Sequence, residues 1–303
     1  MVTIKRTGQL DVPQSVSVLL YGQSGAGKTT MALSAEKPLV FDFDGGLQRV
    51  RASHTREAGM VQVQTWRDVL EVLNMAELGE YKTIIVDTLG KMTDAVICHM
   101  CGGRQPQLRE WGAINGEIKA FMSSVKRTGK DVVFVAQREE SKRGDNTFFR
   151  PAFRARNYNE LVTDLDMVGY LEMRSERGVP VRTLTFDPTA ENDGKNTCGL
   201  PSVITVPTAA DTNTFLADQV LARCHARYEE LAAAQREYAS TLDDIEAAIQ
   251  GITDADGANA FSAQMRTRKY ANDIRLRAAR LLQKKADEIG LTYDKATKAY
   301  SKA

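Results

Sequence analysis

The stretch GQSGAGKTT, at positions 22–30, fits the pattern G-x-x-x-x-G-K-[ST] completely. The run SVSVLLYG (15–22) leads into it and is typical of a buried strand that ends in glycine, and a helical pattern follows. Between a strand and a helix, the glycines let the backbone turn successive N–H groups toward phosphate oxygens. The sequence therefore predicts a phosphate-binding loop. Its residues are Gly22, Gln23, Ser24, Gly25, Ala26, Gly27, Lys28, Thr29 and Thr30.

Two side chains of this loop and one aspartate further along predict a site for ATP and Mg²⁺. Lys28 is expected to reach the β- and γ-phosphates, and the Thr29 hydroxyl is expected to bind the metal. The run YKTIIVDT (81–88) is typical of a hydrophobic strand that ends in Asp87, which places a carboxylate for the same metal. The alternative role for Asp87 is to cap the next helix. We favour the metal role because the phosphate-binding loop lies upstream.

Two further strand ends carry candidate catalytic groups. VFDFDGG (40–46) offers two aspartates, and we predict that Asp44 polarises the attacking water while Asp42 supports it. The alternative for Asp44 is an aspartate that only shapes the turn before two glycines. DVVFVAQ (131–137) ends in Gln137, whose amide could sense the γ-phosphate or only satisfy backbone groups. The predicted catalytic residues are Lys28, Asp44, Asp87 and Gln137.

Strand and helix patterns alternate over residues 15–207, which predicts an α/β core with a mainly parallel sheet flanked by helices. LDMVGYLEMR (165–174) and VPVRTLTFD (179–187) predict a late hairpin that extends the sheet antiparallel. Beyond Thr212 the patterns are almost all helical, and the last residues, TYDKATKAYSKA, suggest a short helix. We therefore expect a core domain at 1–207 and a helical C-terminal domain at 208–303.

Charge separates within that C-terminal domain. Residues 229–256 contain eight acids and one base, whereas residues 261–303 contain eleven bases and four acids. The simplest interpretation is an antiparallel helical hairpin whose two arms attract each other. The alternative is a basic arm that contacts nucleic acid or a neighbouring subunit.

The overall composition is that of an ordinary globular protein. The chain has 303 residues and a formal net charge of +1 at pH 7, with 43% hydrophobic and 26% charged residues. No apolar run is long enough to span a bilayer, and the start, MVTIKRTGQLDVPQ, lacks the apolar core of a secretory signal. We expect a cytoplasmic protein that has no membrane partner.

The order of four motifs resembles that of the RecA-like recombinase ATPases. YGQSGAGKTT, VFDFDGG, TIIVDT and VVFVAQRE occur in that family's order and approximate spacing. Over roughly residues 12–207 the chain is most similar to the compact phage AAA-type P-loop ATPases that include Sak-type single-strand annealing proteins. The resemblance implies a RecA-like fold and a DNA-dependent ATPase that acts in phage recombination, annealing or replication. It also implies a ring or filament on single-stranded DNA, with ATP at a subunit boundary, in the host cytoplasm if a phage encodes the protein.

The resemblance also implies a DNA-binding segment after Gln137, where the family has a mobile loop that contacts single-stranded DNA. Here this segment is REESKRGDNTFFRPAFRARNYNE (138–160), and its residues 148–158 do not show the pattern of a strand or a helix. Its arginines could neutralise phosphates and its phenylalanines could stack on bases. The alternative is that some of its aromatic residues, such as Phe153 or Tyr158, belong to the core. The predicted DNA-binding residues are Arg143, Phe148, Phe149, Arg150, Arg154 and Arg156.

Weaker expectations concern other arginines and other partners. Arg104 and Arg109 lie where the family has its first DNA loop, and Arg174 or Arg182 could supply a cation to a neighbouring subunit's ATP; Lys142 and Arg143 also remain possible suppliers. A single-strand-binding protein or another replication or recombination protein is a further candidate partner. The alternative functions are a DNA helicase or translocase, a small-molecule kinase, and a nucleotide-gated adaptor or loader that binds a partner through its helical tail.

Overall fold

The fold is taken from a computed structural model. It describes residues 8, 11–55, 58–144, 146–153, 159, 162–207 and 214–302, without the side chains of residues 143 and 176. The described chain divides into two compact units, of which the larger is Pro13–Tyr228 and the other is formed mainly by the chain from Glu229 onward. The sequence placed this border at 207/208. None of the helices within the described ranges combines the length and the apolar character that crossing a bilayer requires.

The larger unit is built on one mixed sheet. Its strand order is β10-β8-β7-β1-β5-β4-β2-β3, with β6 paired to β5 and β9 paired to β7. The strands are β1 (Ser17–Gly22), β2 (Pro38–Asp42), β3 (Gly59–Gln62), β4 (Thr83–Asp87), β5 (Asp131–Arg143), β6 (Asn146–Pro151), β7 (Met167–Glu176), β8 (Val179–Thr185), β9 (Lys195–Asn196) and β10 (Val203–Val206).

Helices cover both faces of this sheet. They are α1 (Lys28–Ala32), α2 (Ala52–Thr55), α3 (Trp66–Val72), α4 (Leu89–Cys101) and α5 (Trp111–Arg127). Successive residues of β1 alternate between two hydrophobic clusters. Leu19 packs with residues of α3, α4 and α5, whereas Leu20 packs with residues of α1. Burial on both faces explains why the central strands are apolar at nearly every position. The predicted α/β fold class is confirmed.

The parallel register brings four strand ends to one edge of the sheet. β5 lies between β1 and β4, and β4 in turn pairs with β2, all in parallel. Gly22 is the register partner of Gln137, and Asp42 is the partner of Asp87. The motifs found in the sequence therefore meet at the carboxyl edge of the sheet, where α/β proteins bind ligands.

The late hairpin is present, and one of its strands differs from the expectation. β7 and β8 pair antiparallel with each other, but β7 joins β1 in parallel. At Gly22, the two backbones come so close that a Cβ atom would lie 2.1 Å from the carbonyl oxygen of Leu171. Glycine is thus required at the end of β1 for the sheet to form.

Residues 148–151 also differ from the expectation, because they belong to a strand. β5 continues beyond Gln137 to Arg143, and β6 folds back on this extension as the second strand of an antiparallel hairpin. The chain reverses direction near Gly144, whose φ of 63° favours glycine. The polar run that follows Gln137 gave no strand signal because the side chains of residues 138–142 are exposed or only partly buried.

The second unit is helical and ends in strands. After a π-helical turn (Ala217–Leu221), α6 (Ala222–Gln250) runs into it. It also contains α7 (Ala255–Thr267), α8 (Asn272–Glu288) and a hairpin of β11 (Leu291–Asp294) and β12 (Ala299–Lys302). The last residues are thus a β-hairpin rather than the suggested helix, because Tyr293 and Tyr300 pair across it at 4.9 Å and Tyr300 joins the core. An ion pair between Arg277 and Glu246 at 2.9 Å links the acidic and basic arms.

The close approach at Gly22 makes a testable prediction. In Gly22→Ala, the new methyl group must displace the backbone of β7, and we expect the free energy of unfolding to fall by about 2–3 kcal/mol. The measurement is thermal or denaturant unfolding followed by circular dichroism. The control is Gly116→Ala in α5, where a Cβ meets open space. It should leave stability unchanged or raise it by up to about 1 kcal/mol. Equal stability of the two variants would contradict the register of β1 and β7.

Candidate nucleotide-binding site

The predicted phosphate-binding loop connects β1 to α1. Gly25 and Gly27 have φ values of 80° and 90°, in the left-handed region that favours glycine. Gly27 is the N-cap of α1 and supplies no side-chain cap, so the first N–H groups of the helix remain available at the loop. Positive φ values at such positions let a backbone turn its N–H groups toward a bound phosphate.

Lys28 is the most constrained side chain of the site. It is 6% exposed, and its Nζ donates to Gly22 O at 3.0 Å, Gln23 O at 2.8 Å and Gln137 Oε1 at 3.1 Å. Burial lowers the pKa of the Lys28 ammonium to about 8, while the nearby Asp87 carboxylate raises it. The group is therefore a mostly charged donor at neutral pH, and three protein oxygens take up its three N–H groups.

Asp87 lies next to Lys28 and Thr29 at the end of β4. It is 4% exposed and accepts a hydrogen bond from Thr29 Oγ1 at 2.6 Å. Burial raises the pKa of Asp87 to about 6; the bond from Thr29 lowers it, and the carboxylates of Asp44 and Asp42 raise it further. The cap of α4 is Thr88, whose side chain accepts from Lys91 N, so Asp87 does not serve as a helix cap.

A divalent cation fits this arrangement. The Thr29 hydroxyl and the Asp87 carboxylate are oxygen donors, which Mg²⁺ prefers, and they already lie within hydrogen-bonding distance of each other. Burial is the main cause that raises the pKa of Asp87, and the carboxylates of Asp44 and Asp42 add to it; a bound cation would favour the ionised form against both effects. Thr29 and Asp87, the predicted metal ligands, thus lie together, and their role in binding a metal stays a prediction.

Asp42 and Asp44 differ in their surroundings. The Asp42 carboxylate is 5% exposed and accepts from the backbone N–H groups of Gly46 and Leu47 at 3.1 and 3.2 Å, so it fixes the turn after β2. Asp44 is exposed and accepts from Gly46 N at 2.9 Å. β2 ends at Asp42, so Asp44 lies in the turn after the strand, where its carboxylate is accessible to water.

Gln137 connects the loop to the β5–β6 hairpin. Its amide oxygen accepts from Lys28, and its carbonyl oxygen accepts from Ala152 N at 2.7 Å. The next residue, Arg138, donates to Tyr170 Oη at 2.7 Å and lies 4.2 Å from the centre of the Phe149 ring. Arg138 is a functional candidate that the sequence interpretation missed, and its position directly after Gln137 was the available signal.

Comparison with known proteins identifies the family. A family model described as an AAA domain matches residues 14–198. This chain belongs to that family. No curated protein matches it. Among solved structures, it is similar to the flagellar accessory protein FlaH from Methanocaldococcus jannaschii, with 9% identity over 64% of this chain and 85% of that chain and a TM-score of 0.38. It is also similar to a KaiC-like protein from Pyrococcus horikoshii OT3, with 13% identity over 63% and 89% and a TM-score of 0.39.

The larger unit is therefore an AAA-type P-loop ATPase domain. Both structural likenesses are weak and concern the fold alone. The closer relationship to phage Sak-type annealing proteins stays a prediction.

The aromatic residues expected at the DNA interface of this AAA domain are largely engaged within it. Phe148 is 2% exposed and Phe153 is 6% exposed, so neither presents a stacking face to solvent. Phe149 stacks on Tyr170 with ring centres 5.5 Å apart, and its backbone bonds to Glu191 and Asp193. Phe148 and Phe149 thus anchor the base of the β5–β6 hairpin instead of offering platforms for bases, and Phe153 packs in the core.

The predicted DNA-binding arginines have mixed positions. Arg150 forms an ion pair with Glu139 across the hairpin and remains partly exposed. Arg143 ends β5, and only its backbone is described. Arg154 and Arg156, like Tyr158, lie outside the described residues.

The four other candidate arginines occupy different parts of the AAA domain. Arg104 pairs with Glu110 and Arg109 is exposed, both next to the start of α5. Arg174 pairs with Glu172 at 2.5 Å. Arg182 lies beside Gly27 of its own chain, whereas the sequence offered it, as an alternative to Arg174, for a neighbouring subunit's ATP.

The raised pKa of Asp87 makes stability depend on pH in a definite direction. The folded AAA domain releases the Asp87 proton at pH about 6, and the ordinary value is 3.8, so the ionised form opposes folding. The resulting loss in free energy of unfolding is absent below pH 3.8 and grows as the pH rises through 6. In buffer with EDTA, we expect Asp87→Asn to exceed the wild type in free energy of unfolding by about 2–3 kcal/mol at pH about 7.5. The difference should shrink as the pH falls to about 4.

Two controls accompany this measurement. Asp94→Asn changes an exposed carboxylate on α4 and should leave stability within about 0.5 kcal/mol of the wild type at both pH values. Added Mg²⁺ should stabilise the wild type but not Asp87→Asn, because binding to the folded state alone raises stability. A destabilised Asp87→Asn at the higher pH would show that the carboxylate has a purely structural role.

Proposed function

We propose that this protein hydrolyses ATP with Mg²⁺ and couples the nucleotide to a grip on single-stranded DNA. The observation that carries the proposal is the hydrogen bond between Lys28 Nζ and Gln137 Oε1, at the position where β5 leaves the sheet and becomes a hairpin strand. A nucleotide-binding lysine is thus connected directly to an element that projects beyond the site.

The side chains suit phosphate cleavage. Lys28 would bind the terminal phosphates, and Thr29 with Asp87 would hold Mg²⁺, which neutralises charge on the β- and γ-phosphates when it is bound. Asp44 has an accessible carboxylate beside Asp87 and would orient the attacking water and accept its proton.

The coupling follows from the number of donors on Lys28. An ammonium group has three N–H groups, and all three are taken by Gly22 O, Gln23 O and Gln137 Oε1. A hydrogen bond to a phosphate oxygen therefore requires at least one of these to be released. Gln137 is the only side chain among the three acceptors, so its amide is the one that can turn away without breaking the loop backbone.

The released amide would affect the hairpin through its neighbours. Gln137 is followed by Arg138, which contacts both Tyr170 and the Phe149 ring of β6. A change at Gln137 would thereby reach both strands of the hairpin. This supports a nucleotide-dependent orientation of β5 and β6.

The hairpin has a charge pattern that suits phosphates more than bases. Lys142 is exposed near the tip, and Arg150 is partly exposed on β6, where it pairs with Glu139. With its phenylalanines largely engaged, the hairpin would bind DNA mainly by electrostatic contacts and with little sequence preference. We further propose that the protein acts in phage recombination, annealing or replication as a ring or filament in the cytoplasm, where a single-strand-binding protein is a candidate partner.

We expect ATP hydrolysis to rise when single-stranded DNA is added, because DNA binding and the nucleotide act on the same Gln137 contact. Lys28→Ala should abolish turnover with or without DNA, since it removes the phosphate-binding cation. The measurement is steady-state phosphate release, with double-stranded DNA and RNA as comparisons. Turnover that no nucleic acid changes would remove the DNA part of the proposal and leave an AAA-type ATPase.

The exposed cations of the hairpin are the groups expected to bind DNA phosphates. Lys142→Ala with Arg150→Ala should weaken binding to a fluorescent single-stranded oligonucleotide, measured by anisotropy. The slope of log K against log salt should become shallower by about 0.7 for each phosphate that is no longer neutralised. The matched control is Lys82→Ala with Arg127→Ala, which removes two exposed cations, one just before β4 and the other at the end of α5, away from the carboxyl edge. Wild-type affinity in the hairpin variant, or equal weakening in the control, would contradict the assignment.

A further inference from the structure

Arg182 has a position that its sequence context did not predict. We propose that Arg182 binds the phosphates of the nucleotide held by its own chain and so acts as a cis cation alongside Lys28. This inference rests on the proposed nucleotide hydrolysis, and it does not depend on DNA. The inference concerns how the site recognises its substrate. The negative charge of a triphosphate would be neutralised by the Arg182 guanidinium as well as by the Lys28 ammonium.

The backbone of Arg182 is fixed by strand pairing on both sides. In β8, Arg182 pairs with Met173 of β7 and with Val206 of β10. Leu184, two residues along, pairs with Leu171, and both leucines pack in the cluster that contains Met31 of α1. Since alternate residues of a strand share a face, Arg182 is on the face that carries the phosphate-binding loop.

The guanidinium lies directly against that loop. A Cβ atom built on Gly27 would lie 3.3 Å from Arg182 Cζ and 3.5 Å from both Nη1 and Nη2. Gly27 is therefore constrained twice, by its φ of 90° and by the side chain packed beside it. Arg182 approaches the cradle across β7 from within the same sheet, without any contribution from another chain.

Arg182 also lacks a partner among the described residues. Its Nε is buried and has no hydrogen-bond partner there, and none of the ion pairs between described residues includes it. Arg174, on the same hairpin, is paired with Glu172. A buried guanidinium N–H without an acceptor is costly, and beside a row of phosphate-binding N–H groups the acceptor that fits is an anion.

The chemistry of arginine suits this task. Its planar group presents several N–H donors in fixed directions and can bind a phosphate through two hydrogen bonds at once. The Lys28 ammonium already donates to three protein oxygens, so it does not neutralise the whole charge of a triphosphate by itself. A second cation would neutralise part of the remainder. No bond is formed or broken by Arg182 in this role.

The test uses Arg182→Met, which keeps the packed stem and removes the charge, and Arg182→Gln as a second variant should the first prove unstable. Arg177→Met is the matched control, because Arg177 is exposed in the turn between β7 and β8 of the same hairpin. Binding is measured with a fluorescent, non-hydrolysable ATP analogue, and turnover is measured by phosphate release without DNA. We expect Arg182→Met to bind the analogue about 10- to 100-fold more weakly and to fall about 100- to 1000-fold in kcat/KM. Arg182→Lys should recover part of both, and Arg177→Met should resemble the wild type.

A mixing experiment separates a cis from a trans role. Lys28→Ala subunits have an intact Arg182 but lack the lysine of the nucleotide site. Arg182→Met subunits have an intact Lys28 but lack the arginine. If Arg182 acts in cis, the mixture hydrolyses ATP no faster than the sum of its parts; restored turnover would overturn the cis assignment. Wild-type affinity and kcat/KM in Arg182→Met would overturn the inference altogether. If the wild type binds ATP but never hydrolyses it, the proposed function fails, while the binding measurement still decides the role of Arg182.

Discussion

A buried ammonium group is the constraint on which the rest of this site depends. The Lys28 side chain is almost completely withdrawn from water, which is costly for a charge unless its donors are paired. Two carbonyl oxygens of the loop and the amide of Gln137 meet this need. The same contacts hold the loop in its curved form and tie it to β5. Loss of any of these three hydrogen bonds would therefore leave the buried ammonium group less well paired and weaken the link between the loop and β5.

The parallel sheet supplies the positions that this arrangement needs. β1 and β5 must be neighbours in register for Gly22 and Gln137 to approach one lysine, and β2 and β4 must be neighbours for Asp42 and Asp87 to approach each other. Strands that are buried on both faces have little freedom to slip, because a shift by one residue would exchange the two hydrophobic clusters. The precision of the site is thus a consequence of apolar packing at some distance from it.

The sequence predicted what local pattern determines and missed what tertiary contacts determine. The phosphate-binding loop, Asp87 and Gln137 each lie at the end of a strongly apolar strand, and the structure places them together. The hairpin of β5 and β6 was missed because β6 pairs with the polar part of β5, residues 138–143, which lacks the apolar pattern of a buried strand. Nothing in the spacing of Phe148 and Phe149 indicates that one is buried and the other stacks on Tyr170. The position of Arg182 beside Gly27 depends on a strand order that no short motif encodes.

If the protein binds DNA as proposed, the strength of the Lys28–Gln137 contact would limit how strongly nucleotide and DNA influence each other. A hydrogen bond from a charged donor contributes about 1.5–3 kcal/mol to stability. If this bond is the element that both ligands bias, the coupling between them cannot exceed a factor of about 10–150. Because coupling between binding sites is reciprocal, DNA must then raise nucleotide affinity by the same factor by which nucleotide raises DNA affinity. A larger effect would require a second contact to change, and Arg138, bound to Tyr170 and packed on Phe149, is the adjacent group that could supply it.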